Sequence, residues 1–452
     1  MADQVAVLQT GTLAFLGFLQ KRRRPLSTLA ESCGAWIRTT VAVAIIIGSM
    51  VCLGIDSAKA VKSIIDDTMH PFLVMAFLYS PFCLLDLRPV YVLAMLLYNR
   101  RKFEKLTTGT CDLIRTGLVD ELDSGASANN FTTELIYLGT PHSQAGSWKC
   151  RTKSKLWFLL SGTILVLSYG YFQLVVYMRW QKRHLKHRGN DTFWMENLLD
   201  PLPPFLPAWQ NIILWSLCSI FPLILSQQVI GIFVLNADFL KEGLRDLNRD
   251  IREQIESFGP CRDAVHLKQA MNLESRVMLW TRLVGSSRAF CSELNNFFGT
   301  ILFGVYGVDF LALVGFGTIM IFMPFMGFEI LVLYVYAILM MLAFMTLFLI
   351  PLPLAYEEST CVSANLQDLI DWICHSLTDG DPEGKKLFDR LTSLEHSSRT
   401  YPCLFQSAGL IYFTRAFLTG SCTLALSLLF LAKEFLSDKE TSQALSVNAT
   451  RA

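Results

Sequence analysis

Residues 297–350 read FFGTILFGVYGVDFLALVGFGTIMIFMPFMGFEILVLYVYAILMMLAFMTLFLI. Asp309 and Glu329 are the only charged residues in this stretch. About 20 apolar residues in a helix cross the hydrocarbon core of a bilayer, and backbone groups in lipid must hydrogen-bond within their own segment. The stretch therefore predicts two membrane-spanning helices, at 297–323 and 326–350.

Further windows of the same kind lie on both sides of this stretch. The chain of 452 residues has 52% hydrophobic and only 17% charged residues, whereas a soluble protein carries about 25% charged residues. We therefore predict an all-α integral membrane protein with seven transmembrane helices. The net charge of +1 gives no general attraction to nucleic acid. The five other predicted spans are 36–55, 70–98, 156–178, 211–235 and 404–432.

Lys and Arg residues in the connections predict the orientation, because they concentrate on the cytoplasmic side. With the N-terminus inside and the C-terminus outside, the cytoplasmic segments hold 26 basic residues and the external ones hold 10. The predicted segments are a cytoplasmic N-terminal segment 1–35; spans one to four over 36–238, with a cytoplasmic loop 99–155; a cytoplasmic helical region 239–296; spans five and six over 297–350; a cytoplasmic loop 351–403; span seven over 404–435; and an extracellular tail 436–452.

The region 239–296 has a helical pattern rather than a loop pattern. Its apolar positions Leu240, Leu244 and Leu247 recur at spacings of three and four, and the pattern continues to residue 255. Gly259-Pro260 then ends the helix, and a second helical pattern runs from about residue 264 into the fifth span. We expect both spans to extend into the cytoplasm, either as solvated helices or as a docking surface for other subunits.

Few sequence patterns carry chemistry. We expect no enzyme, because no phosphate-binding glycine loop, nucleophile elbow or HExxH string is present. No Cys/His spacing predicts a metal site, and no cofactor is expected. None of the twelve Cys lies in a predicted external segment, so we expect no disulfide. Asn190 and Asn448 begin candidate glycosylation tripeptides in external segments, whereas the tripeptide at Asn130 falls inside.

Ionisable side chains inside the predicted spans are candidates for function, because they are costly in lipid. Asp86 and Arg88 are two residues apart, so they face different neighbours on a helix. Each is expected either to pair with another helix or to extend to the membrane surface. Asp309 is expected to bond to another helix, Arg415 to extend to the inner surface, and Glu329 to lie close to the outer surface.

Aromatic side chains are frequent in the outer halves of several spans. Two interpretations stay open: an apolar pocket for a small organic ligand, or the aromatic belts and core packing of an ordinary bundle. The candidate pocket residues are Phe72, Phe77, Tyr79, Tyr169, Phe172, Trp215 and Phe221.

One face of the last predicted span alternates small or polar residues with apolar ones and ends in a carboxylate. In a symmetric oligomer this face would line a narrow pore, with a leucine ring that gates by dewetting and a glutamate ring that concentrates cations. An ordinary packing helix with an exposed glutamate is the alternative. The stripe consists of Gly420, Thr423, Ser427, Leu431 and Glu434.

The end of this span resembles the insect gustatory receptors, whose seventh helix ends in Thr-Tyr, five hydrophobic residues and Gln-Phe. Here the string is Ser427-Leu428, LFLAK and Glu434-Phe435, in which only the phenylalanine is identical. Residues 274–310 also resemble the family's lead into the fifth span. The further matched elements are Leu294-Asn295, Phe298-Gly299 and the small-residue pair Ala408-Gly409.

The resemblance implies a divergent member of the gustatory and odorant receptor superfamily. Such a protein would be a ligand-gated nonselective cation channel of the plasma membrane, assembled as a homotetramer or as a heterotetramer with related receptors. The last helices would line a central pore, with Leu431 as the constriction and Glu434 as the ring. The inner extensions of the fourth to seventh helices would form a cytoplasmic anchor, and a small molecule would bind in each outer helical bundle.

Two other classes stay open at this point. A G-protein-coupled receptor would place the N-terminus outside and end its third span in an Asp-Arg-Tyr-like string, where this chain has Arg179-Trp180-Gln181. A membrane transporter would show internal repeats and broken helices near the midplane, and the sequence shows neither. The nature of the ligand is not readable from the sequence.

Overall fold

The structure is a computed structural model that describes residues 40–55, 57–58, 73–99, 102–103, 161–175, 178, 210, 213, 216–257, 267–322, 328–346, 349–376 and 382–449. In some of these segments, chiefly 73–82, 267–272 and 436–449, the backbone alone is described. The predicted N-terminal segment 1–35 and most of the predicted loops 99–155 and 179–210 lie outside the described residues.

Helices make up nearly all of the described chain, which confirms the all-α class. A turn of π-helix at Ser216–Ile220 leads into α4, and two short antiparallel strands, β1 at Gln406–Ser407 and β2 at Ile411–Tyr412, precede the last helix. The helices are α1 Thr40–Ile55, α2 Leu73–Tyr98, α3 161–175, α4 Phe221–Ser257, α5 Leu267–Phe322, α6 Phe328–Thr346, α7 Pro351–Ser376, α8 Pro382–Thr400 and α9 Arg415–Ala449.

Several of these helices have the length and composition of membrane spans. Within the described residues, three helical stretches are long and apolar enough to cross a membrane: Ser216–Ser257, Leu273–Thr318 and Leu331–Cys374. Thr40–Ile55 and Arg415–Leu431 are shorter apolar helices. Large apolar side chains point outward from several helices, as a lipid-facing surface requires; examples are Met50, Leu167, Leu311 and Leu339.

The predicted extensions of the fourth and fifth spans are confirmed as helices. Helix α4 continues unbroken to Ser257, just before Gly259-Pro260, and α5 begins at Leu267, 30 residues before the predicted span. At 1.5 Å per residue, the 56 residues of α5 extend over roughly 84 Å. This length is well over twice the thickness of a hydrocarbon core, so α5 must continue beyond the membrane.

The prediction of a loop over 351–403 is wrong, because most of this segment forms α7 and α8. The buried positions of α7 recur every three or four residues and pack against α4. The buried positions are Leu352, Ala355, Ser359, Val362, Leu366, Leu369 and Ile373. The sequence did not reveal this pattern, because Ala355 and Ser359 are small or polar.

Polar side chains hold α7 against α4. Asn248 Nδ2 donates to the Glu358 carbonyl at 2.8 Å and to Glu358 Oε2 at 3.0 Å, and Asn248 Oδ1 accepts from Asn365 Nδ2 at 2.8 Å. Arg252 Nε donates to Asn365 Oδ1 at 3.0 Å. Since buried amides are costly without partners, these bonds fix the position of α7 along α4.

The predicted seventh span also differs from the structure, because its helix begins at Arg415 and not at residue 404. Residues 406–412 instead form the β1–β2 hairpin, in which Ser407 pairs with Ile411. Ala408 and Gly409 have φ values of +51° and +70°, a backbone conformation that a helix does not contain. The apolar run across 404–413 is therefore broken by a tight turn.

Candidate functional site

The five stripe residues of α9 all lie exposed on the described chain. Helix α9 packs along one narrow line, where Ala425 is buried and Leu429 packs on α5. The approach is close because Gly317 of α5 has no side chain; a Cβ there would meet Leu429 Cδ2 at 2.7 Å. Most of the remaining apolar surface of α9 is uncovered, with Phe430 67% and Leu431 62% exposed.

The hydroxyl groups of α9 bond within the helix. Thr423 Oγ1 donates to the Thr419 carbonyl at 3.0 Å, and Ser427 Oγ donates to the Thr423 carbonyl at 2.9 Å. Thr419 and Ser421 make the same bond to the residue four positions earlier. Each hydroxyl proton is thereby used, and the oxygen lone pairs stay available to accept. On the stripe, Thr423 and Ser427 present acceptors to their surroundings.

An ion pair fixes the first turn of α9. Arg415 Nη2 donates to Glu357 Oε2 at 2.6 Å, and Arg415 Nε lies 2.5 Å from Glu357 Oε1. This paired, fork-like geometry suits a guanidinium and a carboxylate. Arg415 was expected to extend to the membrane surface, and the structure shows that its charge is paired with α7.

Two of the regions that carry the family resemblance, residues 274–310 and the pair Ala408-Gly409, meet at the hairpin. Asn295 of α5 binds both sides of the chain there: its Nδ2 donates to the Leu404 carbonyl at 2.8 Å, and its Oδ1 accepts from Gln406 N at 3.1 Å. Ser407 Oγ donates to the Gly299 carbonyl at 2.7 Å. A Cβ on Gly299 would lie 3.2 Å from the Gln406 carbonyl oxygen. Residues more than a hundred positions apart thus form one junction between α5 and α9.

A buried ion pair lies deeper in the bundle. Arg88 Nε of α2 lies 2.9 Å from Asp309 Oδ1 of α5, and the two side chains are 1% and 4% exposed. Arg88 Nη1 donates to Ser226 Oγ at 2.9 Å, and Arg88 Nη2 donates to Gln227 Oε1 at 2.7 Å. The Phe344 ring of α6 lies 5.1 Å from the guanidinium. One side chain of α2 therefore contacts three other helices, α4, α5 and α6.

The predictions for the charged residues of the spans are largely confirmed. Asp86 accepts from Ser219 Oγ at 2.6 Å, so Asp86 and Arg88 do face different partners. Asp309 forms an ion pair with another helix, whereas the interhelical hydrogen bond that was expected is not made at its Oδ1. For Arg88 the pairing alternative holds, and the expectation that it could extend to the surface is wrong, because its side chain is buried. Glu329 lies on α6, where the backbone alone is described.

A small cavity of about 10 Å³ borders the ion pair. Arg88, Gln227, Asp309 and Tyr306 contribute its polar lining, and apolar side chains complete it. Gln227 Nε2 is buried and has no hydrogen-bond partner. A volume of this size accommodates about one water molecule, so the cavity is too small for an organic ligand.

Three of the predicted pocket residues have described side chains. Tyr169 is buried on α3, the Phe172 ring lies 5.1 Å from the Tyr336 ring of α6, and Phe221 packs against the core at the start of α4. Phe77 and Tyr79 lie on α2, where the backbone alone is described, and Phe72 and Trp215 lie outside the described residues. Tyr336 was not among the predicted pocket residues, because nothing in the sequence distinguishes it from the other aromatic residues of an apolar span.

The contacts around these residues bring three elements together. Tyr336 Oη donates to the Leu165 carbonyl of α3 at 3.2 Å. A Cβ on Gly170 would lie 3.2 Å from Ile220, in the π-helical turn before α4. Helix α3 therefore lies beside α6 at Tyr336 and beside the turn before α4 at Gly170.

Other predicted sites are reported for the described residues alone. Eight described cysteines are free thiols, and no group of His, Cys, Asp or Glu side chains within the described ranges could hold a metal ion. Asn190 lies outside these ranges, and Asn448 lies near the end of α9, where the side chain is not described.

The described chain combines long helices that extend out of an apolar bundle with a helical hairpin, α7 and α8, that packs against them. Its last helix is apolar and is uncovered on most sides. These features define the fold of an all-helical membrane protein. The fold is similar to that of a solved insect olfactory receptor. The structure of the insect olfactory receptor OR5 from Machilis hrabei matches with a TM-score of 0.60 at 11% identity, covering 95% of this chain and 98% of that chain. The same receptor in complex with eugenol matches with a TM-score of 0.59 at 9% identity, covering 96% and 97%.

The likeness at this level of identity is one of fold. No protein-family profile matches the sequence, and no curated protein matches it significantly. The likeness in fold extends over nearly the whole chain, and it agrees with the resemblance read from the last helix.

Proposed function

We propose that this protein is a chemosensory receptor that acts as a ligand-gated nonselective cation channel of the gustatory receptor type. The observation that carries the proposal is the exposed stripe on α9 in a chain with the insect olfactory receptor fold. Four copies in the plasma membrane, identical or mixed with related receptors, would surround a central pore with their α9 helices.

The chemistry of the stripe supports a cation pore. Thr423 and Ser427 offer oxygen acceptors, because their hydroxyl protons are used within the helix. Leu431 is 62% exposed, and four leucines around an axis form a hydrophobic constriction that closes by dewetting. Glu434, also exposed, would form a carboxylate ring that concentrates cations.

A small organic molecule is the proposed ligand. The aromatic neighbourhood of α3, the start of α4 and α6 is apolar, with hydroxyl groups on Tyr169 and Tyr336. The match to a receptor in complex with eugenol supports an organic ligand of modest size. Binding there would bias the equilibrium between closed and open pores.

The proposed topology has seven spans, with the N-terminus inside and the C-terminus outside. The long inner parts of α4 and α5, together with α7 and α8, would form the cytoplasmic anchor. The bias of basic residues toward 239–296 supports this orientation. Asn190 and Asn448 would then be the external glycosylation acceptors, and an epitope tag at the N-terminus should be reached by antibody only after the cells are permeabilised.

The fold favours the channel over both alternatives. The likeness to an insect olfactory receptor covers 95% of the chain, which neither a G-protein-coupled receptor nor a transporter would explain. Helix α5 is continuous over 56 residues, whereas transporters of the broken-helix type interrupt their midplane helices.

The test is expression in oocytes, with membrane currents recorded during exposure to a panel of sugars, bitter compounds and volatile organic molecules. We expect an inward cation current for at least one compound, and the Leu431→Ala variant should show a raised current without ligand. A chain that reaches the cell surface and carries no current, in the wild type or in Leu431→Ala, would contradict the proposal.

A further inference from the structure

A single buried network joins α2, α4 and α5 near the middle of the bundle. Arg88 bridges Asp309 of α5 and the Ser226-Gln227 pair of α4, and the chain around it is apolar. Removing one partner of a buried pair leaves an uncompensated charge and is strongly destabilising. The pair therefore links α2 to α5, and the bonds from Arg88 to Ser226 and Gln227 link α4 to both.

The network also has room for a second arrangement. Gln227 Nε2 lacks a partner and lines the same small cavity as Asp309. A modest displacement of α4 relative to α5 would let this amide donate to the Asp309 carboxylate, whose Oδ1 lies 2.9 Å from Arg88 Nε and has no hydrogen-bond partner. Packed interiors change between discrete arrangements rather than by continuous deformation.

Tyr306 connects this network to the last helix. It lies three residues before Asp309 on the same face of α5 and lines the cavity. Its ring lies 5.1 Å from the Phe417 ring in the first turn of α9 and 6.0 Å from the Phe413 ring just before it. Tyr306 therefore lies between the cavity beside Asp309 and the start of α9.

We propose that the Arg88–Asp309 pair is the coupling element between the outer helical bundle and α9, with Tyr306 as the contact that transmits its state. Arg88, Asp309 and Tyr306 act as positioning residues, since none of them belongs to the stripe or to the aromatic neighbourhood. The proposal deepens the proposed channel function and rests on it where currents are measured. Its structural core, the dependence of α9 on the ion pair, stands without any current.

The first measurement follows α9 through its own exposed Cys422. The rate of Cys422 modification by a water-soluble methanethiosulfonate is measured in native membranes, with Cys422→Ser as the blank for all other thiols. We expect Asp309→Asn to change this rate at least threefold. Tyr306→Leu, which leaves the ion pair intact, should change it in the same direction.

The double variant and a matched control make the test specific. Asp309→Asn combined with Tyr306→Leu should have the effect of one substitution, because both interrupt a single path. Thr318→Val is the control, since Thr318 is as buried on α5 as Asp309 and its hydroxyl donates to the carbonyl of Val314 in the same helix. Its rate should equal that of the wild type. Independent, multiplying effects of the two substitutions would overturn the proposal.

Two outcomes separate the inference from the channel function. In oocytes, Asp309→Asn should shift the ligand concentration for half-maximal current at least tenfold, measured on the channels that reach the cell surface. A wild-type chain without current whose Cys422 rate responds to Asp309→Asn would contradict the channel and leave the coupling standing. The coupling would be overturned if the wild type carries a current while the Cys422 modification rates of Asp309→Asn and Tyr306→Leu both lie within twofold of the wild-type rate. Should Asp309→Asn fail to fold, the rate in Tyr306→Leu decides alone.

Discussion

Gly299 shows how much one missing side chain can matter. The hairpin backbone approaches α5 so closely there that a Cβ would lie 3.2 Å from the Gln406 carbonyl oxygen and 3.4 Å from Ala408 N. Backbone atoms of a hydrogen-bonded turn cannot move aside as a flexible side chain can. A side chain at this position would push the hairpin away from α5 by a few tenths of an ångström.

A Gly299→Ala substitution should test this close approach. Alanine favours a helix by roughly 0.5–1 kcal/mol over glycine, whereas overpacking costs about 1–3 kcal/mol. We expect Gly299→Ala to lower the melting temperature of the detergent-solubilised protein. Gly307→Ala is the matched control on the same helix, since a Cβ there meets nothing within 4 Å, and it should be neutral or stabilising. Equal melting temperatures for the two variants would show that the close approach is unimportant.

The predicted role of Glu434 also depends on a single residue, because one charge is repeated around the axis of the proposed pore. Glu434→Gln removes that charge at nearly constant volume. We expect weaker permeation or block by divalent cations, with monovalent current retained, because a neutral ring no longer concentrates divalent ions. The measurement is the reversal potential and the block by Ca²⁺. Glu253→Gln, on the exposed face of α4, should leave both unchanged; an equal response of the two variants would remove Glu434 from the pore.

Among the elements, α4 and α7 depend on polar contacts more than their apolar faces suggest. Asn248 uses its whole amide to hold Glu358 and Asn365. In an Asn248→Ala variant these partners would lose their bonds in a partly buried interface. We expect a loss of about 1–3 kcal/mol in the free energy of unfolding, measured as a lower thermal midpoint. Gln367→Ala is the control, because the exposed Gln367 bonds only to Asp371 on its own helix, and a comparable loss there would contradict the prediction.

The same elements show how far the sequence could predict the fold. The lengths of α4 and α5 were predictable because apolar residues recur without interruption along 240–255 and from about 264 onward. Helix α7 was missed because its buried face contains Ser359 and Ser363, whose partners are distant in sequence. Ser359 Oγ accepts from Cys403 N at 2.8 Å, and Ser363 Oγ donates to Glu395 at 3.0 Å. A polar residue on a helix face is informative only once its partner is known.

The candidate site was predictable in part for the same physical reason. Composition identified Arg88 and Asp309 as costly residues in a membrane, but the pairing between them depends on how α2 and α5 cross. The small pair Ala408-Gly409 was a weak indication of the break before α9. The apolar run around it was the stronger pattern, and it predicted a continuous helix. The stripe followed from helical spacing alone, and its exposure is consistent with that prediction.

For the whole molecule, the uncovered surface of α9 predicts an assembly. A helix that leaves Leu424, Phe430 and Leu431 exposed while packing along a single line needs lipid or further copies around it. Helices of closed rings meet such a need by symmetry. The chain on its own is therefore an incomplete unit for the proposed pore.

The assembly should be visible by mass. With four chains of 51.0 kDa, we expect a protein mass of about 204 kDa in detergent, measured by light scattering with the detergent contribution subtracted. The Leu431→Ala variant should keep this mass, because the anchor helices would hold the copies together. A monodisperse species with the mass of a single chain, in detergent and in lipid nanodiscs, would contradict the tetramer.

The hydroxyl bonds within α9 also bear on its stiffness. Ser and Thr side chains that bond to the carbonyl four residues earlier weaken the backbone ladder and bend helices. Helix α9 has four such bonds between Arg415 and Ser427, above a base clamped by Glu357. Leu431 lies about 12 Å beyond Thr423, so a bend of about 10° in this segment would displace it by roughly 2 Å. In a ring of four, that displacement on each side would widen an opening by roughly 4 Å, which is more than the diameter of a dehydrated sodium or potassium ion.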